Sequence, residues 1–433
     1  MNTRSLILFG LVACLYLGTG FLQSWNLSLS ILNAALLATI AALGVNMQWG
    51  YAGLFSVGTM GFTALGGLAV VLISARPNAE NWQAGGPGIL LALILGALSV
   101  MVAIFAWRRI APGRLRMLAV AAIMVGGFFL FRAVFDPNVM AAEAVNPEFA
   151  GNLGGLGLPS LVAWPVGGLL AAAAAWGIGK TALGLRSDYL AIATLGIAEI
   201  IVSITKNEDW LARGVKNIID LPRPWPVPYE VELQQQPGFL EFVARWGLDP
   251  VTASTIGVKL LYAAMFGLVL AAIIWAFERA LNSPWGRMMR AIRDNEVSAA
   301  AMGKDVTGRH LQVFVLGSAV IGFAGAMMTS MDGQLTPGTY NPLRFTFLVW
   351  VMVIVGGSGN NWGTVLGGLL IGWLWLVVEN IGPNIMGLLT MPMPDGWLKT
   401  HLLGSAEHMR LLTMGVILLL VLRFSPRGLI PEK

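Results

Sequence analysis

Cysteine occurs once in this 433-residue chain and histidine three times, and charged residues make up only 11% of it. Each scarcity removes a class of function. A lone Cys14 makes neither an internal disulfide nor a thiolate metal cage. His310, His401 and His408 stand in unrelated contexts, so histidine-built metal or haem chemistry has no support. A soluble domain needs about 25% charged residues to cover its surface, roughly twice what is present. "GIGKT" at 177–181 resembles a phosphate-binding loop, but Ala174 stands where the first glycine belongs, and an Ala-rich apolar segment replaces the required strand. Lys180 reads instead as a helix-end anchor at a membrane surface. With no nucleophile–base pair and no metal constellation, the chain is expected to be no enzyme and to carry no cofactor.

What is abundant is hydrophobic: 56% of the residues, in runs without a charge such as Ser5–Leu22, Leu27–Ile73, Gly88–Ala106, Leu161–Gly179 and Leu311–Met331. A helix of about 20 apolar residues crosses a bilayer core. About twelve apolar segments can be marked, at 5–22, 27–47, 51–74, 88–107, 117–135, 161–179, 188–205, 252–281, 311–331, 345–357, 363–381 and 411–424. Several are short or broken by glycine. The expected fold is therefore an all-α, polytopic transmembrane bundle with about 10–12 membrane segments, forming a single membrane domain over 1–433. "LVAC" ending at Cys14 has the look of a lipoprotein cleavage site, but the apolar run continues to Leu22, which reads as a first membrane anchor.

Loop charges set an orientation. "WRRIAPGRLR" (107–116) holds four arginines and no acid, whereas 135–152 holds three acids and no base. The positive-inside rule places the first in the cytoplasm and the second outside. Counting crossings then puts Arg4, the 282–310 loop and the tail with Arg423, Arg427 and Lys433 inside, so both termini are expected to be cytoplasmic. The basic excess thus needs no nucleic-acid partner. The long polar stretch 206–251 falls outside, and its "LPRPWPVPYE" (221–230) is expected to be extended rather than helical.

The ionic residues concentrate in "SPWGRMMRAIRDNEVSAAAMGKD" (283–305). Ser283 followed by Pro284 is a helix start, and Gly303 is a stop. Between them Trp285, Met288, Met289 and Ile292 recur at helical spacing, while Arg290 and Asp294 stand one turn apart on the other face. This predicts a cytoplasmic amphipathic helix. Acids among the bases (Asp294, Glu296, Asp305) favour docking to a protein over a purely lipid-directed role.

This stretch resembles the cytoplasmic coupling segment of ABC importer permeases of the branched-chain amino acid uptake family. The matching positions are Gly286, Arg287, Arg290, Ala291, Ile292, Arg293, Asp294, Glu296, Ala299, Ala300, Met302 and Gly303. Three other stretches resemble the same family: "ALGVNMQWGYAGLFSVGTMGFTALG" (42–66), with Gly50, Tyr51, Gly53, Ser56 and Gly58 in register; "GLRSDYLAIATLGIAEII" (184–201); and "VIVGGSGNNWGTVLGG" (353–368). The fit is to the larger, second membrane subunit, whose N-terminal extension falls here within 1–135. The resemblance implies a permease subunit in a bacterial cytoplasmic (inner) membrane, forming a path with a second homologous permease as a heterodimer. It further implies two cytoplasmic ATP-binding subunits, an external or periplasmic substrate-binding protein, and branched-chain or related amino acids as substrate. On it, Gly286, Arg287, Arg290, Arg293, Asp294, Glu296 and Gly303 are expected to couple to the ATPases. Urea or short-chain amides are the alternative cargo.

Glu199 is about eleven residues, or about 17 Å of helix, beyond Asp188. An acid at that depth is either a functional group or a hydrogen-bonded brace. Asn33 and Asn46 are available as partners, and Glu199, Asn46, Tyr51 and Ser56 are the expected lining of the path. An ion-coupled transporter using Glu199 as a proton site is a third reading, which the Arg-rich loop disfavours.

Overall fold

The computed structural model describes residues 3–145, 151–185 and 187–432. Among them the chain is helical and contains no strand, only an isolated antiparallel bridge between Ile218 and Leu335. The helices are α1 (Thr3–Leu22), α2 (Trp25–Val45), α3 (Thr59–Ser74), α4 (Ala79–Arg109), α5 (Arg114–Ala144), α6 (Ser160–Ala182) and α7 (Ser187–Asn207). After three short helices, α8 (Asp209–Ala212), α9 (Glu230–Gln235) and α10 (Pro237–Arg245), come α11 (Pro250–Leu281), α12 (Pro284–Asp294), α13 (Glu296–Ala301) and α14 (Val306–Asp332). The last are α15 (Leu348–Gly356), α16 (Asn361–Thr390), α17 (Trp397–Gly404) and α18 (Met409–Phe424).

Each of the twelve apolar segments contains a helix, and in the third, 51–74, the helix begins only at Thr59. Nine helices among the described residues are long and apolar enough to cross a bilayer: α1, α2 with the turn that follows it, α4, α5, α6, α7, α11, α14 and α16. The pair α17–α18, bent by 74°, makes a tenth if it is one span. The stretches at 51–74 and 345–357 are shorter helices, Thr59–Ser74 and Leu343–Gly356, as their glycines and length foretell. Residues 221–229 contain no helix, as their prolines require, but they are not extended throughout, because a turn closed by Val227 N donating to Pro224 O interrupts them.

The core centres on α14, which buries residues on every side. Small residues let neighbouring backbones come close. A Cβ on Gly66 of α3 would fall on the carbonyl oxygen of Gly322, and one on Gly44 of α2 on that of Gly317. Gly167 of α6 packs on the same turn of α14. In lipid there is no hydrophobic drive between helices, so this close contact and a few polar bonds hold the bundle. Gln48 Nε2 donates to Phe314 O and Ser318 Oγ, both at 3.0 Å, and Trp164 Nε1 donates to Ser330 Oγ at 3.0 Å.

The hairpin α4–α5 stands apart. Its two helices pack on each other, and it joins the bundle at one end only. There Phe135 meets Trp210 edge-on at 5.6 Å, Trp210 N donates to Glu143 Oε1, and Asn81 Nδ2 donates to Asn152 O.

The loops gather at two ends. Residues 50–58, 282–305, 357–361 and 425–432 meet at one, joined by bonds such as Ile430 N to Gly356 O. Residues 75–78, 151–160 and 208–221 meet the 333–341 loop at the other, through Leu156 N to Leu72 O and Leu221 N to Gly333 O.

Substitution Gly66→Leu is expected to destabilise the chain by about 3 kcal/mol or more, since a rigid carbonyl occupies the space. Gly10→Leu on α1, where nothing lies within 4 Å, should leave the unfolding midpoint in detergent unchanged. Equal midpoints for the two variants would show that α3 and α14 do not approach as described.

Candidate functional site

Where α2 ends, the chain makes a wide π-helical turn, Asn46–Gly50, and then runs without helix to Thr59. Arg293 of α12 reaches across to this turn. Its Nη1 donates to Gly50 O and to Glu432 Oε2, the latter at 2.8 Å, and its Nη2 lies 3.2 Å from Asp294 Oδ1. Burial works against the guanidinium charge, but the bonds and attraction from Glu432 and Asp294 outweigh it, and the pKa is raised.

Glu432 is delivered by the tail. Leu429 N and Ile430 N donate to Val355 O and Gly356 O at 2.9 Å, and Asn360 Nδ2 donates to Pro431 O at 3.1 Å. Gly357 has φ of +121°, and a Cβ there would strike the Ile430 carbonyl, so only glycine fits. The Gly-rich turn 356–363 is thus a cradle for the chain's own tail. Next to it, Asn46 Oδ1 accepts from Gly359 N at 2.9 Å, Asn46 Nδ2 donates to Asn361 Oδ1 at 3.3 Å, and Asn361 Nδ2 donates to Glu278 Oε1 at 3.0 Å. The ends of α2, α11, α12 and α16 and the tail are therefore one polar network.

The charged segment 283–305 differs from its sequence expectation in several details. It is two helices, not one running to Gly303. Asn295 is extended (φ −156°, ψ 97°), and its side chain accepts from Ser298 N, capping α13 and ending α12. Ser283 is the N-cap residue of α12 as expected, but its side chain makes no capping bond and its hydroxyl donates to Ala280 O at 2.6 Å. Arg290 does not pair with Asp294. It donates to Leu281 O at 3.3 Å, and Asp294 is taken by Arg293. The apolar stripe is as expected, with Met289 and Ile292 fully buried.

The segment's named residues divide into two sets. Gly286, Arg290 and Arg293 face their own chain: a Cβ on Gly286 would collide with the Leu281 backbone, and both arginines grip carbonyls. Arg287, Asp294, Glu296 and Gly303 are exposed, with Gly303 at φ +75°.

The four residues expected to line a path do not converge. Asn46, Tyr51 and Ser56 are buried, Asn46 within the polar network and Ser56 beside Trp350, whose Nε1 donates to Ser56 O at 3.2 Å. Tyr51 borders a cleft together with Arg4, Glu278, Arg290, Gly359 and Glu432. The Ser56 hydroxyl is buried with no partner. Glu199 lies elsewhere, exposed midway along α7 between Tyr189, Ile192, Leu195 and Ile204, which are also exposed. Neither asparagine reaches it: Asn33 Nδ2 donates to Lys259 O at 3.0 Å, and Asn46 is held in the network. Neither Asn33 nor Asn46 is therefore the brace of Glu199. Glu278, Asn361 and Glu432 are network members that sequence reasoning missed. Nothing local marks them, because each finds its partner across 83 or more residues. Among the described residues no group of three or more potential metal ligands occurs.

Residues 113–422 match the family described as branched-chain amino acid transport system, permease component. A probable branched-chain amino acid transport permease, LivM, of Methanocaldococcus jannaschii is 27% identical over 84% of this chain and 90% of its own length. The high-affinity branched-chain amino acid transport permease LivM of Escherichia coli is 26% identical over 62% of this chain, which spans 56% of that relative. The ribose import permease RbsC of Bacillus subtilis is 30% identical over 28% of the chain and 37% of its own length. No solved structure matches the chain. An all-α membrane bundle whose match to one family model runs from the arginine-rich turn into α18 belongs to the branched-chain amino acid transport permease family.

Proposed function

We propose that this chain is the membrane-spanning subunit of an ATP-driven ABC importer for branched-chain or related amino acids. The observation that carries the coupling part is Arg293. One guanidinium ties the exposed segment α12–α13 to the turn ending α2 and to the tail. A push on that segment is thus transmitted into the bundle, and Arg287, Asp294 and Glu296 are left outside for a partner to grip. The full-length likeness to the archaeal relative supports amino acids as the cargo, whereas the match to the sugar permease covers less than a third of the chain.

In this reading two cytoplasmic ATP-binding subunits dock on α12–α13. A second, homologous permease faces α7, and an external binding protein delivers substrate at the end holding 208–249. Termini and coupling segment face the cytoplasm, and the arginine-rich 107–116 turn supports that side. The function itself is transport, with ATP hydrolysed by the partners.

Purification of the intact assembly from membranes should recover two ATP-binding chains and a second permease. Recovery of the chain by itself, with uptake intact, would sink the proposal. In the reconstituted complex, Glu296→Lys is expected to leave the chain's unfolding midpoint unchanged and to uncouple ATPase activity from uptake. Arg293→Gln and Glu432→Gln should each lower uptake, and the double variant should be no worse than Arg293→Gln, since the two act as one unit. Additive losses would separate the tail from coupling.

Glu199 is exposed on this chain, so Glu199→Gln and Glu199→Leu should each shift stability by no more than about 0.5 kcal/mol. If its carboxylate faces the path between the two permeases, both variants should lose uptake at equal expression. Wild-type uptake in both would remove Glu199 from the path.

A further inference from the structure

The tip of the α4–α5 hairpin collects Arg108 and Arg109 from the last turn of α4 and Arg114 and Arg116 from the first turn of α5. None of the four forms an ion pair among the described residues. Arg116 is stacked over the Trp107 ring at 4.0 Å, its Nε buried without a hydrogen-bond partner, and Arg109 lies over the Phe105 ring at 5.4 Å.

Three features of this tip are unfavourable when it is left alone. Four like charges are crowded into one turn. Arg114 and Arg116 sit at a helix N-terminus, where the backbone dipole disfavours cations. That N-terminus also lacks a capping side chain and any acid in its first turn, because Gly113 precedes it. A single class of ligand relieves all three: an anionic oxygen group placed between the two helix ends.

The surroundings say where that group comes from. Phe105 and Leu115 are 61% and 80% exposed, and the apolar surface continues from them up both helices. Over 88–106 and 117–131 the one hydrogen-bonding side chain is Ser99, and its hydroxyl is turned back to Leu95 O. α5 buries only Phe135 and Ala142, both far from the tip. A lipid-facing element is apolar throughout and basic at its edge, which is the pattern of this arm.

We propose that the 107–116 turn is a binding site for the phosphate of an anionic glycerophospholipid, with the acyl chains lying on Phe105, Leu115 and Leu118. The hairpin is then an arm held by protein at one end and by lipid at the other. The proposal is independent of what the chain transports.

The test is native mass spectrometry of the full chain in a neutral detergent, titrated with phosphatidylglycerol or phosphatidylcholine. Wild type should prefer phosphatidylglycerol by at least about tenfold. The double variants Arg108→Gln/Arg109→Gln and Arg114→Gln/Arg116→Gln should each lose roughly tenfold or more in affinity for it, at about 1 kcal/mol per basic residue. Their affinity for phosphatidylcholine should not change. Unaltered phosphatidylglycerol affinity in both variants would overturn the site. Two wild-type measurements need no variant: equal affinity for the two lipids, or displacement of phosphatidylglycerol by excess inorganic phosphate, would each overturn the assignment to a lipid headgroup.

Discussion

The close approach of α14 to α2, α3 and α6 is the constraint on which the rest depends. Helices in a bilayer gain nothing from burying apolar surface against one another, because lipid is equally apolar. Association rests on backbone proximity and interhelical bonds. Gly317, Gly322 and Gly325 supply the proximity along α14, and Gln48 and Trp164 supply the bonds. Because α14 begins at Val306, a few residues past α13, the helix on which α2, α3 and α6 converge is also the one joined directly to α12–α13.

That continuity gives the polar network its mechanical meaning. Arg293 holds the turn that ends α2, and Gln48 in the same turn is bonded to α14. A displaced α12–α13 therefore pulls on α14 through the chain and on α2 through a guanidinium. The Gly-rich turn 356–363 keeps the tail in register so that Glu432 accepts from Arg293, a charge-assisted bond stronger than a neutral one. The hairpin α4–α5 shares none of this. Its isolation from the core leaves its free end to the membrane.

Much of the fold was legible because it is local. Apolar runs become helices wherever a bilayer forbids unsatisfied backbone, so each of the twelve segments contains a helix. Pro284 opens α12 as its position requires, and Met289 and Ile292 are buried on the stripe that their spacing describes. The break at Asn295 was also present in the sequence, as a good capping residue in front of Glu296, but the strong signals at Pro284 and Gly303 obscure it.

The sequence by itself determined membrane residence, the positions of the helices, the charged segment 283–305 between apolar ones, and the family. All of these are properties of contiguous residues. Only the tertiary structure decided the partners. Arg293 meets Glu432 across 139 residues and Gly50 across 243. Asn33 and Asn46 are bonded to residues other than Glu199, and the Gly-rich turn 356–363 holds the chain's own tail. A hydrogen bond between distant residues leaves no periodicity in either neighbourhood, since its direction depends on how whole helices cross.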